Sequence, residues 1–229
     1  MDKQQLTEYL QQFVSERRVG LFDRILHHRT RYITVVMEDI FQPHNASAVL
    51  RTCDCFGVQD VHIIENRNSY SINPDIALGS DKWLTLVKYS RADDNTSDAY
   101  SELRRLGYRI VATTPHKGDV TLEDFDIEKG KAAFVFGTEL KGLSSQAINR
   151  ADEYLRIPMF GFTESLNISV SAALILHHIT TRLRGSRVDW KLEPEEIVSI
   201  KLDWLRKTIK KADLLEKQFL DNRGGDNSY

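Results

Sequence analysis

Residues 132–145, AAFVFGTELKGLSS, decide the fold class of this chain. Their first five residues form an apolar run, which is typical of a strand buried on both faces of a sheet. Gly137 and Gly142 then bracket a short loop that contains Glu139, and a helix start follows. Ligands of α/β proteins bind where strands end in this way, although an ordinary strand-to-helix connection has the same appearance. The rest of the chain has to decide between the two interpretations.

Strand-like and helical patterns alternate along the chain. The apolar spacing predicts strands at residues 32–37, 60–65, 86–89, 109–113, 132–136 and 154–158. It predicts helices at residues 3–27, 46–56, 97–106, 144–150, 168–184 and 195–220. Such alternation indicates an α/β fold, with a mainly parallel sheet that carries helices on both faces.

The composition is that of a folded, soluble protein. The 229 residues are 41% hydrophobic and 28% charged, and the net charge of −2 gives no general attraction to DNA. No apolar run reaches the length of a membrane span, and the N-terminus lacks the apolar core of a signal peptide. We therefore expect a cytoplasmic protein with no membrane and no DNA partner. Cys53 and Cys55 are expected to be structural.

The common signatures of nucleotide and hydrolytic chemistry are missing. The sequence has no GxxxxGK[ST] phosphate loop, no GxGxxG after a strand and no GxSxG elbow. No group of His, Cys, Asp and Glu has the spacing of metal ligands, so we expect no metal. A conventional NTPase, dehydrogenase or hydrolase is disfavoured.

Polar loops follow three of the predicted strands. They are residues 42–45, with Arg51 in the next helix, residues 137–142, and residues 159–167. Above the carboxyl edge of a sheet Arg51 suits a phosphate, although a surface salt bridge is an open alternative. Taken singly, Glu139 could complement a helix dipole, and Ser165 or Asn167 could cap a helix.

Together the three loops resemble the SPOUT class of RNA methyltransferases, specifically its TrmH (SpoU) branch of 2′-O-ribose methyltransferases. The first motif is EDIFQPHNASAVLR at residues 38–51, the second is FVFGTELKGLS at 134–144, and the third is IPMFGFTESLNISVS at 157–171. The three occur in the order and spacing of that branch.

The resemblance implies a deep trefoil knot in the C-terminal part of the core, a homodimer, and S-adenosyl-L-methionine as cofactor. Carried over by position, the cofactor-binding residues are Thr113, Gly137, Ile157, Met159 and Leu166. The catalytic positions are Asn45, Arg51, Glu139, Ser165 and Asn167.

The layout of the chain outside the motifs points to an RNA substrate class. We expect an N-terminal helical extension at 1–30, a methyltransferase core at 31–185, a basic helical extension at 186–222 and a disordered tail at 223–229. Candidate RNA-binding residues in the extensions are Arg17, Arg18, Arg29, Arg31, Arg206, Lys207, Lys210 and Lys211. This layout resembles that of enzymes that methylate guanosine 18 in the D-loop of tRNA. The alternatives are a ribosomal RNA methyltransferase and an RNA-binding protein without catalysis.

Overall fold

The computed structural model describes residues 2–71, 73–92, 94–114, 120–139 and 141–225. Its contacts divide the chain into two compact units. The central unit is residues 30–190, and the terminal unit combines the described residues before 30 with those after 190. The two extensions distinguished in the sequence thus pack together as one unit.

A seven-stranded parallel sheet forms the middle of the central unit, counted over the described residues. The strands are β1 (Ile33–Glu38), β2 (Asp60–Ile64), β3 (Thr85–Tyr89), β4 (Arg109–Thr113), β5 (Val120–Thr121), β6 (Ala132–Phe136) and β7 (Glu153–Arg156). Their order across the sheet is β3-β2-β1-β6-β4-β7-β5, and every recorded strand pair is parallel. The predicted α/β class with a parallel sheet is confirmed.

The helices of the central unit cover both faces of this sheet. They are α3 (Pro43–Phe56), α4 (Pro74–Ala77), α5 (Asn95–Arg105), α6 (Ser145–Asn149) and α7 (Ile168–Gly185), with a 3₁₀ turn at Ser80–Lys82. Alternate strand residues join different cores, as the period of two requires. Val35 belongs to the apolar cluster that includes Val49 of α3 and Ile175 of α7. The next residue, Val36, belongs to the cluster that includes Leu103 of α5.

The terminal unit consists of four described helices, two from each end of the chain. They are α1 (Lys3–Gln11), α2 (Glu16–Leu26), α8 (Pro194–Thr208) and α9 (Ala212–Gly225). The single helices predicted at 3–27 and 195–220 are therefore wrong, because each is two helices. Lys211 adopts a left-handed φ of 63° at the second break. Helix α9 also includes residues 223–225 of the predicted disordered tail, whose remainder lies outside the described residues.

Two smaller expectations concern the cysteines and the membrane. Neither cysteine forms a disulfide; Cys53 is buried in the core and Cys55 is exposed. No helix in the described ranges is long and apolar enough to span a bilayer.

His62 gives the fold a predictable dependence on pH. The side chain is buried in β2, and its ring stacks on Tyr89 with Nδ1 2.9 Å from the tyrosine hydroxyl oxygen. Burial lowers the pKa of His62 from its ordinary 6.5 to about 4. Between these two values the unfolded chain binds more protons than the folded one. We therefore expect stability to fall by about 3 kcal/mol as the pH drops through this window.

Urea unfolding at a series of pH values measures this effect. A His62→Gln protein has no titrating group at this position, so its stability should depend less steeply on pH between 6.5 and 4. Parallel curves for the wild type and the variant would contradict the assignment.

Candidate active site

A cavity of about 340 Å³ opens at the carboxyl edge of the sheet, between the segments that follow β4, β6 and β7. Its volume lies within the range of small-molecule sites. We call it the first cavity. All five residues predicted to bind the cofactor line it: Thr113, Gly137, Ile157, Met159 and Leu166. Several other lining residues were not predicted to bind the cofactor, among them Thr114, Phe136, Lys141 and Ser171.

The loop after β6 is a tight turn that forms one wall of this cavity. Thr138 N–H donates to the Gly142 carbonyl at 3.0 Å, and Gly142 N–H donates to the Thr138 carbonyl at 2.8 Å. Gly142 has a φ of 64°, a conformation that favours glycine. A Cβ atom on Gly137 would lie 2.2 Å from the Gly142 carbonyl carbon. Both glycines are therefore required by the turn that presents Glu139.

Three of the predicted catalytic residues are joined by hydrogen bonds beside this turn. Asn167 Nδ2 donates to Asn45 Oδ1 at 3.2 Å and also to Glu139 Oε1. Asn167 additionally caps α7, because its Oδ1 accepts from the backbone N–H of Ser169 at 2.8 Å. Asn45 Nδ2 in turn donates to Gln42 Oε1 at 2.8 Å. The network connects the loops that follow β1, β6 and β7.

Ser165 and Arg51, the other two predicted catalytic residues, are placed differently. Ser165 lines the first cavity. Arg51 is exposed on α3, lines neither cavity described here, and makes no hydrogen bond or ion pair with the described residues. The helix predicted at 46–56 begins three residues earlier than expected. The helix already starts at Pro43, which leaves Asn45 buried within its first turn.

A second cavity, of about 570 Å³, lies beside the first. The two share the turn after β6, including Thr138, Glu139 and Lys141. The other side of the second cavity is formed by the segment 38–42, Asn45 and the loop 66–68 that follows β2. Glu139 therefore borders both spaces, and Asn45 borders the second.

Glu38, at the end of β1, is a buried carboxylate for which the sequence predicted no role. Its Oε1 accepts from Thr96 Oγ1 at 2.8 Å and from Ser144 Oγ at 2.7 Å. Its Oε2 accepts from the backbone N–H of Ser144 at 2.8 Å. Ser144 caps α6, so Glu38 fixes the end of the turn that carries Glu139.

The predicted RNA-binding residues differ in how far their side chains are exposed. In the terminal unit Arg29 is only 2% exposed and lies over the ring of Trp204, so its prediction as a phosphate contact is corrected. Arg206 forms an ion pair with Glu216 at 2.7 Å. In the central unit Arg31 pairs with Asp60 at 2.9 Å. The exposed members of the set are Arg17, Arg18, Lys207, Lys210 and Lys211.

No group of three or more metal-ligating side chains occurs among the described residues. The side chains around the two cavities instead combine amides, hydroxyls, one shared carboxylate and apolar walls. Such a set can bind an organic ligand and position a polar group of a second ligand next to it.

Comparison with known proteins agrees with this arrangement. Residues 32–177 match the model of the SpoU rRNA Methylase family. The tRNA (guanosine(18)-2′-O)-methyltransferase of Borreliella burgdorferi is 41% identical over 207 residues, which cover 90% of this chain and 93% of the relative.

Solved structures show the same fold. The A. aeolicus TrmH/SpoU tRNA modifying enzyme superposes with a TM-score of 0.74 at 30% identity, covering 86% of this chain and 98% of that one. The SpoU methyltransferase AviRb from Streptomyces viridochromogenes, solved in complex with AdoMet, has a TM-score of 0.56 at 20% identity. The superposition covers 72% of this chain and 62% of the AviRb chain, and it shows a similarity of fold alone. From the family match and the Borreliella relative, we conclude that this chain belongs to the SpoU methylase family.

Proposed function

We propose that this protein transfers a methyl group from S-adenosylmethionine to the ribose 2′-hydroxyl of guanosine 18 in tRNA. The observation that carries the proposal is the first cavity with the Asn45–Asn167–Glu139 network beside it, in a chain whose relatives bear that activity by name.

The first cavity fits the proposed cofactor in size and in chemistry. Its walls include the apolar side chains of Leu143, Leu155 and Ile157, which suit an adenine ring. Gly137 also lines this cavity, where its backbone polar groups would meet the ribose. When bound, S-adenosylmethionine supplies a methyl group on a positively charged sulfur, which a hydroxyl can attack without a metal.

The protein's own residues then have to position the hydroxyl. Good positioning contributes up to roughly 7–11 kcal/mol in favourable cases. In our proposal Arg51 binds the phosphate next to the target ribose and orients the 2′-hydroxyl. The proton of that hydroxyl is transferred to the phosphate or to water. Since Arg51 is on the exposed face of α3, the RNA must approach that face, either along one chain or across a dimer interface.

Substitution of Arg51 tests this role. Arg51→Lys keeps the charge but loses the planar fork, so we expect at least a tenfold fall in kcat with unchanged S-adenosylmethionine affinity. Arg51→Ala should abolish transfer. Single-turnover kinetics and calorimetry provide the two readouts. Near-full turnover by Arg51→Lys would show that the fork geometry is dispensable.

We also propose the family's quaternary and topological features for this chain. Exposed apolar side chains support a homodimer: Val170 and Leu174 lie one turn apart on α7, and Phe160 and Phe162 are almost fully exposed. Light scattering should give the mass of two chains.

A trefoil knot is supported by the sheet order, in which β6 lies between β1 and β4. A crystal structure with residues 157–185 passing outside the loop between β4 and β6 would exclude it.

We propose a cytoplasmic location for this protein. We also propose that the terminal unit binds the tRNA. The exposed cations Arg17, Arg18, Lys207, Lys210 and Lys211 would contact phosphates and make affinity fall with salt.

The decisive experiment uses methyl-labelled S-adenosylmethionine with a whole tRNA transcript and with a ribosomal RNA fragment. We expect label at position 18 of the tRNA and none after Arg51→Ala. Label only in the ribosomal fragment would keep the chemistry and change the substrate. A protein that binds RNA but not the cofactor would be the non-catalytic alternative.

A further inference from the structure

We propose that the second cavity receives the target nucleotide, with its base against Phe41 and with flanking phosphates of the same RNA strand, other than the one assigned to Arg51, on Arg67 and Lys141. The inference rests on the proposed function and assigns the place where the RNA enters. Glu139 borders both cavities, so a nucleotide in the second would present its ribose beside the first.

Two cationic side chains at the second cavity are available to phosphates. Arg67 and Lys141 are exposed, and neither side chain makes a hydrogen bond or ion pair with the described residues. The three carboxylates of the lining are already bonded. Glu38 accepts from Thr96 and Ser144, Asp39 accepts from backbone N–H groups, and Glu139 accepts from Asn167. The two free cations are thus available for phosphates.

An aromatic side chain stands at the same cavity. Phe41 is 73% exposed, although it directly follows the buried Ile40. Bases of unpaired RNA commonly stack on exposed aromatic rings, and the stacking requires no particular base edge. Phe41 therefore suits a nucleotide that has been turned out of its stack.

The loop that carries Arg67 is held in place before any ligand arrives. Asp39 Oδ1 accepts the backbone N–H groups of Asn66 at 2.7 Å and Arg67 at 2.8 Å. Asn68 Nδ2 donates to the Asp39 carbonyl at 2.9 Å. Asp39 itself has a φ of 53°, which is uncommon for a residue other than glycine and marks a position fixed by its surroundings. The backbone of Arg67 is therefore held at the rim of the cavity, and its exposed side chain is free to reach a phosphate.

Two variants test the assignment with RNA methylation as the readout. Arg67→Ala should raise the KM for RNA about tenfold, because one charge-assisted contact is lost. It should also lower the slope of log(kcat/KM) against log salt by about one. Phe41→Ala should lower kcat/KM about tenfold, and Phe41→Tyr should restore it. Arg91→Ala, an exposed arginine outside both cavities, is the matched control and should behave like the wild type.

The affinity for S-adenosylmethionine distinguishes a failure of the second-cavity assignment from a failure of the proposed function. Calorimetry with S-adenosylmethionine should give the same affinity for the wild type, Arg67→Ala and Phe41→Ala. Unchanged RNA kinetics in both variants, or a loss of cofactor binding, would overturn the proposal. If the wild type methylates no RNA, the proposed function fails. Direct binding of unmodified tRNA then decides: weaker binding by both variants supports the cavity, and equal binding overturns it.

Discussion

Replacing Gly137 with alanine is expected to destabilise the protein by about 4 kcal/mol and to weaken S-adenosylmethionine binding at least a hundredfold. The added Cβ would lie 2.2 Å from the Gly142 carbonyl carbon and 2.3 Å from both its oxygen and the Leu143 nitrogen. All three are backbone atoms of the turn, so no flexible side chain can move aside. Overpacking of this kind costs about 1–3 kcal/mol, and breaking the two Thr138–Gly142 hydrogen bonds adds about 1 kcal/mol each.

The loss of binding follows from the position of the turn. Displacing it moves one wall of the first cavity, together with Glu139. Urea unfolding and calorimetry measure the two effects. Gly20→Ala is a suitable control, because Gly20 lies inside α2 with no atom within 4 Å of its added Cβ. That change should stabilise the protein by about 0.5–1 kcal/mol. Equal unfolding midpoints for Gly137→Ala and the wild type would disprove the steric argument.

Central strands were the most predictable part of the fold. The bounds predicted for β4 and β6 match the structure, because strands buried on both faces are continuous apolar runs that end abruptly. Helix breaks were not predictable in the terminal unit. The apolar spacing continues across residues 12–15 and 209–211, and no glycine or proline marks either break. Strand β5, with two residues, is too short to give a periodic signal.

The site was predictable where it depends on strand ends and not where it depends on tertiary contacts. Polar residues after β1, β6 and β7 meet because parallel strands present their carboxyl ends at one edge. The loop 66–68 and Asp39, which binds it, show no such sequence pattern. Asp39 accepts hydrogen bonds from backbone N–H groups, which every residue but proline has, so the sequence does not reveal the contact. Arg29 shows the reverse error. A cluster of basic residues in a sequence does not reveal which of them is buried in the folded protein.

Glu38→Ala is expected to destabilise the protein by about 4 kcal/mol and to lower kcat about tenfold. The carboxylate is 2% exposed and accepts hydrogen bonds from the Thr96 hydroxyl, the Ser144 hydroxyl and the Ser144 N–H. Hydrogen bonds to charged groups are worth about 1.5–3 kcal/mol each, and truncation leaves buried donors without acceptors. The fall in kcat should arise indirectly, because Ser144 fixes the end of the turn that carries Glu139.

Glu38→Gln separates hydrogen bonding from charge. Its carbonyl oxygen can accept the Ser144 N–H, and the two hydroxyls can rotate to accept from the amide, so we expect a loss of only about 1 kcal/mol. Urea unfolding and single-turnover kinetics give the comparison. Glu102→Ala, which removes an exposed carboxylate paired with Arg105, should leave the unfolding midpoint unchanged. If Glu38→Ala and Glu38→Gln were equally stable, charge rather than the hydrogen-bond geometry would hold the turn, and Glu38 would not be its positioning residue.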